Sequence, residues 1–363
     1  MMSKWTSEQA WQWYRSYPWL RGCNYIGSDC ANRRDQWQSY GAEAHLATAD
    51  RELALARETG FNTVRLIADF DVWYQEPESF MDILERYLTI CSKNGQYVML
   101  VLSSEAELPN GDVRAFVPKK LGEQTYALGY HQGRSPQVLA VNEDKSRIYH
   151  PLESPVLRES CLTMVRQIVE KYREDPRIIC WNIYNEPGIF LKERAIPVLE
   201  ELFETVRALH PVQPLTAELF SGLPEGRPLE PERVALELSD VISFHCYLPF
   251  REFCRQIDYL RQYDRPLLCT EWLNRLNGSG VREIFPLLYA EDIGSWCWGF
   301  VVGKTQTNEP WYGLWKEYAA GRCQDLDFTK WLHDLYRPSL LPYDPRETEL
   351  IRRYAEIADR KRK

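Results

Sequence analysis

The chain has 363 residues, 44% of them apolar and 26% charged, enough for one large core or two ordinary domains. Its formal charge of −8 leaves no basic footprint for nucleic acid or an anionic membrane. No stretch approaches the roughly 18 apolar residues that a spanning helix needs.

The ten cysteines include no CxxC pair, which argues against a zinc site. Cys180, Cys246, Cys269 and Cys297 sit inside apolar runs, where free Cys behaves as a small hydrophobe. With no apolar leader segment near Met1, the expectation is a reduced, cytoplasmic protein. Aromatic residues reach 13%. Such rings either fill a core or line a cleft for the flat faces of sugars.

Ser7 to Tyr17 has helical spacing, with Ser7 as N-cap and Trp11 and Tyr14 on one face, suited to closing the bottom of a barrel. Gly22 to Gly27 is a compact strand between glycines. Thr48 to Thr59 reads as a helix ended by Gly60, and Phe61 to Ala68 as a strand with one charge, Arg65, among apolar neighbours. Phe80 to Lys93 is an amphipathic helix, and Tyr97 to Leu102 the next buried strand. A polar segment without period runs from Ser103 to Ser154. Its length marks it as an insertion over a functional edge, holding Glu105, Glu107 and His131.

Ser154 to Arg173 is a helix with a Ser N-cap and Pro in its first turn. Ile178 to Tyr184 is a strand of apolar residues stopped by Asn185-Glu186-Pro187-Gly188. A helix over Glu193 to Leu209 and a strand over Pro214 to Leu219 follow, then a helical turn at Val234 to Leu238 and a strand from Asp240 to Tyr247. Phe253 to Tyr263 is helical, Pro266 to Trp272 a strand, Val281 to Tyr289 a helix and Ile293 to Val301 the last strand. Phe328 to Leu335 and Thr348 to Ala358 read as closing helices.

Strands alternate with helices eight times, without internal repeat or linker-like shift. That predicts a parallel sheet closed into a (β/α)8 barrel, one domain over residues 1–363 with an inserted loop at about 103–154. A doubly wound sheet is the alternative with the same count.

In a barrel the polar residues at the C-terminal ends of the strands converge. Those residues are Arg65, Asn185, Glu186, His245, Tyr247, Glu271 and Trp298. Two glutamates on strands four and seven, facing across the mouth, are what glycoside hydrolysis needs: one protonates the leaving oxygen, the other attacks the anomeric carbon. A cation such as Arg65 keeps a carboxylate ionised.

The pieces GFNTVRL (Gly60 to Leu66), YNEP (Tyr184 to Pro187), FHCY (Phe244 to Tyr247), CTEW (Cys269 to Trp272), WCWG (Trp296 to Gly299) and GKTQT (Gly303 to Thr307) resemble, in order, a clan A glycoside hydrolase of the family 5, cellulase-like type. The likeness extends to bacterial proteins labelled 1,4-β-xylanase or cellulase-like. It implies Glu186 as acid/base, Glu271 as nucleophile and Asn185 on the 2-hydroxyl of the reacting sugar. Arg65 and Tyr247 would support Glu271, His245 would line the site and Trp298 would stack under the sugar. It implies retaining chemistry, a carbohydrate substrate, and neither metal nor cofactor. Related cellulases often carry a His near the end of strand three, where this chain has Ser103-Ser104-Glu105.

Several residues admit a structural role instead. Arg65 could only fasten the barrel, and His245 could be a core histidine. Lys304 and Gln306 either touch sugar hydroxyls or shape a loop. Trp181 and Trp272 read as core or rim, and Glu105 and Glu107 as solvated loop acids. A barrel that binds carbohydrate without cleaving it is the competing function, and a metal-dependent barrel hydrolase would need more histidines at strand ends than His245 alone.

Overall fold

The computed structural model describes residues 3–107, 118–134 and 148–361. Its strands are β1 (Arg21–Asn24), β2 (Thr63–Ile67), β3 (Tyr97–Val101), β4 (Ala106–Glu107), β5 (Ile148–Tyr149), β6 (Ile178–Asn182), β7 (Leu215–Thr216), β8 (Glu218–Leu219), β9 (Ile242–His245), β10 (Leu267–Trp272) and β11 (Gly294–Cys297). Nine of them form one parallel sheet in the order β7-β6-β3-β2-β1-β11-β10-β9-β8. The expected strand Pro214 to Leu219 is split at Ala217. Its first half pairs with β6 and its second with β9. The sheet therefore closes on itself through the two halves of one strand, giving a (β/α)8 barrel. β4 and β5 form a small two-stranded antiparallel sheet within the inserted loop.

The helices are α1 (Ser7–Ser16), α2 (Arg33–Trp37), α3 (Ala42–Thr59), α4 (Phe70–Gln75), α5 (Pro77–Lys93), α6 (Arg158–Tyr172), α7 (Ala195–Ala208), α8 (Glu230–Leu238), α9 (Phe250–Arg261), α10 (Val281–Ala290), α11 (Tyr312–Ala319) and α12 (Pro345–Arg360). The main ones bury an apolar stripe against the sheet. In α5 that stripe is Phe80, Ile83, Leu84, Tyr87, Leu88 and Cys91, the spacing of a half-buried helix. Helix α1 is capped by Thr6 rather than Ser7, in a reciprocal pair with Gln9. It lies against a cluster of barrel-interior side chains that includes Met99, Ile179, Val241, Leu268 and Trp296. No described helix is long and apolar enough to cross a membrane.

One expected helix is absent. Phe328 to Leu335 forms no helix but a run of turns. The backbone N–H groups of Leu335 and Tyr336 donate to Phe300 O, and that of Leu332 to Asn308 O. These amides are spent on the segment beyond β11, so an i→i−4 ladder cannot form.

Candidate active site

Arg65 points into the barrel from the middle of β2, fully buried. Burying a lone guanidinium is costly, and here it is surrounded by acceptors. Its Nη1 donates to Asn24 Oδ1 (2.7 Å) and Glu271 Oε1 (2.9 Å). Its Nη2 donates to Asn185 Oδ1 (2.6 Å), Glu218 Oε1 (2.9 Å) and, more weakly, Asn182 Oδ1 (3.4 Å). One cation thus ties strand ends from four parts of the sheet.

Asn185 and Glu186 follow β6. The Asn185 N–H donates to Ser103 O (2.9 Å), continuing the β3–β6 pairing to the barrel rim. Glu186 then takes a left-handed backbone (φ 48°), uncommon for a non-glycine residue and disfavoured before proline. Its N–H points at Glu218 Oε2 (3.3 Å). Gly188 is also left-handed (φ 86°), and a Cβ there would meet Pro231 Cγ at 2.7 Å. Glu105 fastens the turn from outside. Expected to be a solvated loop acid, it instead accepts N–H groups from Gly188 (2.9 Å), Phe190 (2.9 Å) and Leu191 (3.2 Å), and the Tyr184 hydroxyl (3.2 Å). The Glu107 side chain falls outside the described part of the chain.

Glu271 lies near the end of β10, where the register against β9 shifts between Cys269 and Glu271. Such a bulge re-aims the side chain that follows it. The Tyr247 hydroxyl donates to Glu271 Oε2 (2.7 Å). His245 Nδ1 lies 2.7 Å from Glu186 Oε1 and 3.4 Å from Glu271 Oε2. One oxygen of Glu186 and one of Glu271 lie within 4.8 Å of each other.

The two carboxyls are treated differently. Burial pushes Glu186 up to about 7, with Arg65 pulling down and Glu232 pushing up. Burial also raises Glu271, and Glu186 adds to this, but His245, Arg65 and the Tyr247 hydrogen bond all favour its charged form. Burial lowers His245, against the pull of Glu271 and Glu218. Glu186 keeps 18% of its side-chain surface exposed against 8% for Glu271, which leaves the former within reach of an incoming oxygen.

Trp298 lies just past β11, half-buried. It lines a narrow cavity with Asn24, Arg33 and Arg65. Trp296, two residues earlier, is fully buried among the residues under α1, and Trp181 and Trp272 are fully buried as well. Gln306 spends its amide on the inserted loop, accepting from Gly129 N (2.6 Å) and donating to Ala127 O (2.7 Å). Lys304 lies in the same segment, its N–H on Ser28 O. His131 packs edge-on against Trp311 and His333, the two rings that also pack on Tyr247, the partner of Glu271.

Sequence reasoning passed over three participants. Glu218 is a lone charge in an apolar strand, the same signal that singled out Arg65. Asn182 donates to Glu218 Oε1 in a short contact; an Asn inside an apolar strand carries a weaker form of that signal. His150 stands near the far end of the inserted loop, yet its Nε2 makes a short hydrogen bond with Ser103 at the end of β3, and its ring lies on Tyr184. A histidine is therefore present beside strand three, delivered from another part of the chain. Burial lowers it to about 3, so it stays neutral.

Glu186, His245 and Glu271 also offer three ligand atoms close together. Both oxygens of Glu271 are already engaged, one by a guanidinium, and a cation 2.9 Å away opposes a second cation there.

A (β/α)8 barrel with two carboxylates facing each other at the C-terminal rim defines the class of barrel glycosidases. The model of the cellulase family, glycosyl hydrolase family 5, matches residues 27–283, and the chain belongs to that family. It is a glycosidase. Solved structures share its fold. An exo-β-1,4-mannosidase from Opitutaceae bacterium strain TAV5 is 14% identical with a TM-score of 0.56, over 94% of this chain and 60% of that one. The family 5 mannosidase from Rhizomucor miehei is 15% identical with a TM-score of 0.57, over 95% and 94%. The endo-β-1,4-mannanase from Thermotoga petrophila is 14% identical with a TM-score of 0.54, over 93% and 76%. No curated protein sequence matches.

Proposed function

We propose that the protein is a retaining β-glycosidase acting on a β-1,4-linked oligosaccharide, with Glu186 as acid/base and Glu271 as nucleophile. The observation that carries this is that one oxygen of Glu186 and one of Glu271 lie within 4.8 Å of each other, which brings the two carboxyl groups close. Retaining enzymes hold their carboxyl groups about 5–5.5 Å apart, whereas inverting ones need about 6.5–9.5 Å to admit a water. Glu271 Oε attacks the anomeric carbon as the bond to the leaving oxygen breaks, and Glu186 gives that oxygen its proton. Glu186, now a carboxylate, takes a proton from water, which displaces Glu271 with a second inversion. Asn185, held by Arg65, faces the 2-hydroxyl, and Trp298 supports the ring. The linkage is drawn from the mannosidase and mannanase relatives. The ten free cysteines, eight of them buried, support a reducing compartment such as the cytoplasm.

Hydrolysis of a panel of aryl β- and α-glycosides by wild type, Glu186→Gln and Glu271→Ala tests the assignment. Activity on one β-glycoside should collapse in both variants, by roughly a hundredfold or more. Proton NMR should show the β-anomer released first, and activity should survive EDTA. Unchanged rates in both variants would remove these two residues from the chemistry.

A further inference from the structure

Arg33 opens helix α2 just beyond β1, half-buried. It lines two adjoining spaces: the narrow cavity it shares with Arg65 and Trp298, and a larger cleft of about 490 Å³. That volume lies inside the usual range for small-ligand sites, about 300–1,000 Å³. Among the described residues its guanidinium has one hydrogen bond, from Nη1 to Ser104 Oγ (3.1 Å), and no ion pair. Ser104 bridges to Asn185, the residue before Glu186.

Among the described residues no acid forms an ion pair with it. Of the charges acting most on it, Asp69 is an anion and Arg34, Arg134 and Arg65 are cations. An oxygen of Asp69 is already used as the N-cap of α4, accepting from Val72 N (3.1 Å). Among the described residues of the cleft, the other acids are engaged too: Asp71 beside Lys119 (3.8 Å), and Glu105 by the amides of the 188–191 turn. In a chain of net charge −8, cations gathered at one cleft wall with an unspent guanidinium fork fit a bidentate oxyanion.

We propose that Arg33 selects a substrate whose glycone carries an anionic group, a uronic carboxylate or a sulfate ester, seated against the Ser104 side of the site. This rests on the glycosidase reading above and names the substrate class for it.

Nitrophenyl β-cellobioside and β-mannobioside would each be compared with forms oxidised to the carboxylate or sulfated at C6 of the terminal sugar. One charged form should be cut with kcat/KM roughly tenfold to a hundredfold above its neutral parent, the worth of a charge-assisted hydrogen bond. That ratio should fall toward unity in Arg33→Gln and shrink as salt is raised. Which charged form is favoured separates carboxylate from sulfate. Neutral forms cut as fast as charged ones, or a preference that persists in Arg33→Gln, would overturn the proposal. If no glycoside is cleaved, the catalytic reading fails by itself. Calorimetry of the wild type with the same uronic and neutral disaccharides then decides this one: tighter binding of the uronic form, lost in Arg33→Gln, sustains it, and equal or weaker binding overturns it.

Discussion

Arg65 shows how one side chain can serve both barrel and chemistry. It is shared between Glu218 and Glu271, both buried. Removing the cation would leave two buried carboxylates facing each other. Arg65→Met should therefore cost about 3–5 kcal/mol, the loss typical of breaking a buried pair, read as a lower denaturant midpoint. Glu218→Gln is the more informative change, because Arg65 keeps Glu271 and Asn185 as partners. Taking away the Glu218 charge makes both remaining glutamates easier to ionise. Glu271 stays charged to lower pH, and Glu186 loses its proton at lower pH. Both limbs of the kcat/KM profile should move down. A profile that stays in place would show that Glu218 does not act through the site's electrostatics. On the proposed assignment, the alkaline limb of the wild type belongs to the group near 7, Glu186. Above that pH the acid has lost the proton it must give, so kcat/KM should fall, and Glu186→Gln should abolish the limb rather than shift it.

At the scale of elements, the turn that presents Glu186 depends on contacts that local sequence does not display. The strand before it is legible because Ile178 to Tyr184 is apolar and Pro187-Gly188 must stop it. Its cap is not legible: Glu105 lies far away in sequence, in a segment with no period, and looks like any loop acid. His150 is hidden for the same reason. The split of the fifth strand at Ala217 and the turns at Phe328 to Leu335 also escape the sequence, because partner strands and the Phe300 carbonyl decide them, not propensity. Glu105 gives this a test. Glu105→Ala would strip three amides and a tyrosine hydroxyl of their acceptor. The expected loss is about 1–3 kcal/mol of stability, with a fall in kcat as the strained turn relaxes. Glu105→Gln, which keeps one acceptor oxygen, should recover part of both. Equal behaviour of the two variants would mean that the turn holds itself.

For the whole molecule, the rhythm of strands and helices makes the barrel legible, because each buried strand of a parallel sheet reads as an apolar run between breakers. What the rhythm leaves out is how the C-terminal end of the chain is fastened. Helix α1 covers the barrel floor over Met99, Ile179 and Trp296. Arg21 at the start of β1 pairs with Asp359 in α12 (2.8 Å). Arg275, four residues after Glu271, pairs with Glu347 (2.6 Å) and donates to the carbonyls of His333 (2.8 Å) and Asp334 (2.8 Å). Both termini are thus bound to strands that carry the site. We propose that the chain unfolds as one domain, with calorimetric and van't Hoff enthalpies in agreement. Arg275→Met should lower the melting temperature without splitting the transition, since it releases Glu347 and two carbonyls inside the same core. Activity lost at a lower temperature than the main heat absorption would contradict this. It would show the C-terminal strap and the barrel to be separate units, with the loop after Glu271 melting first.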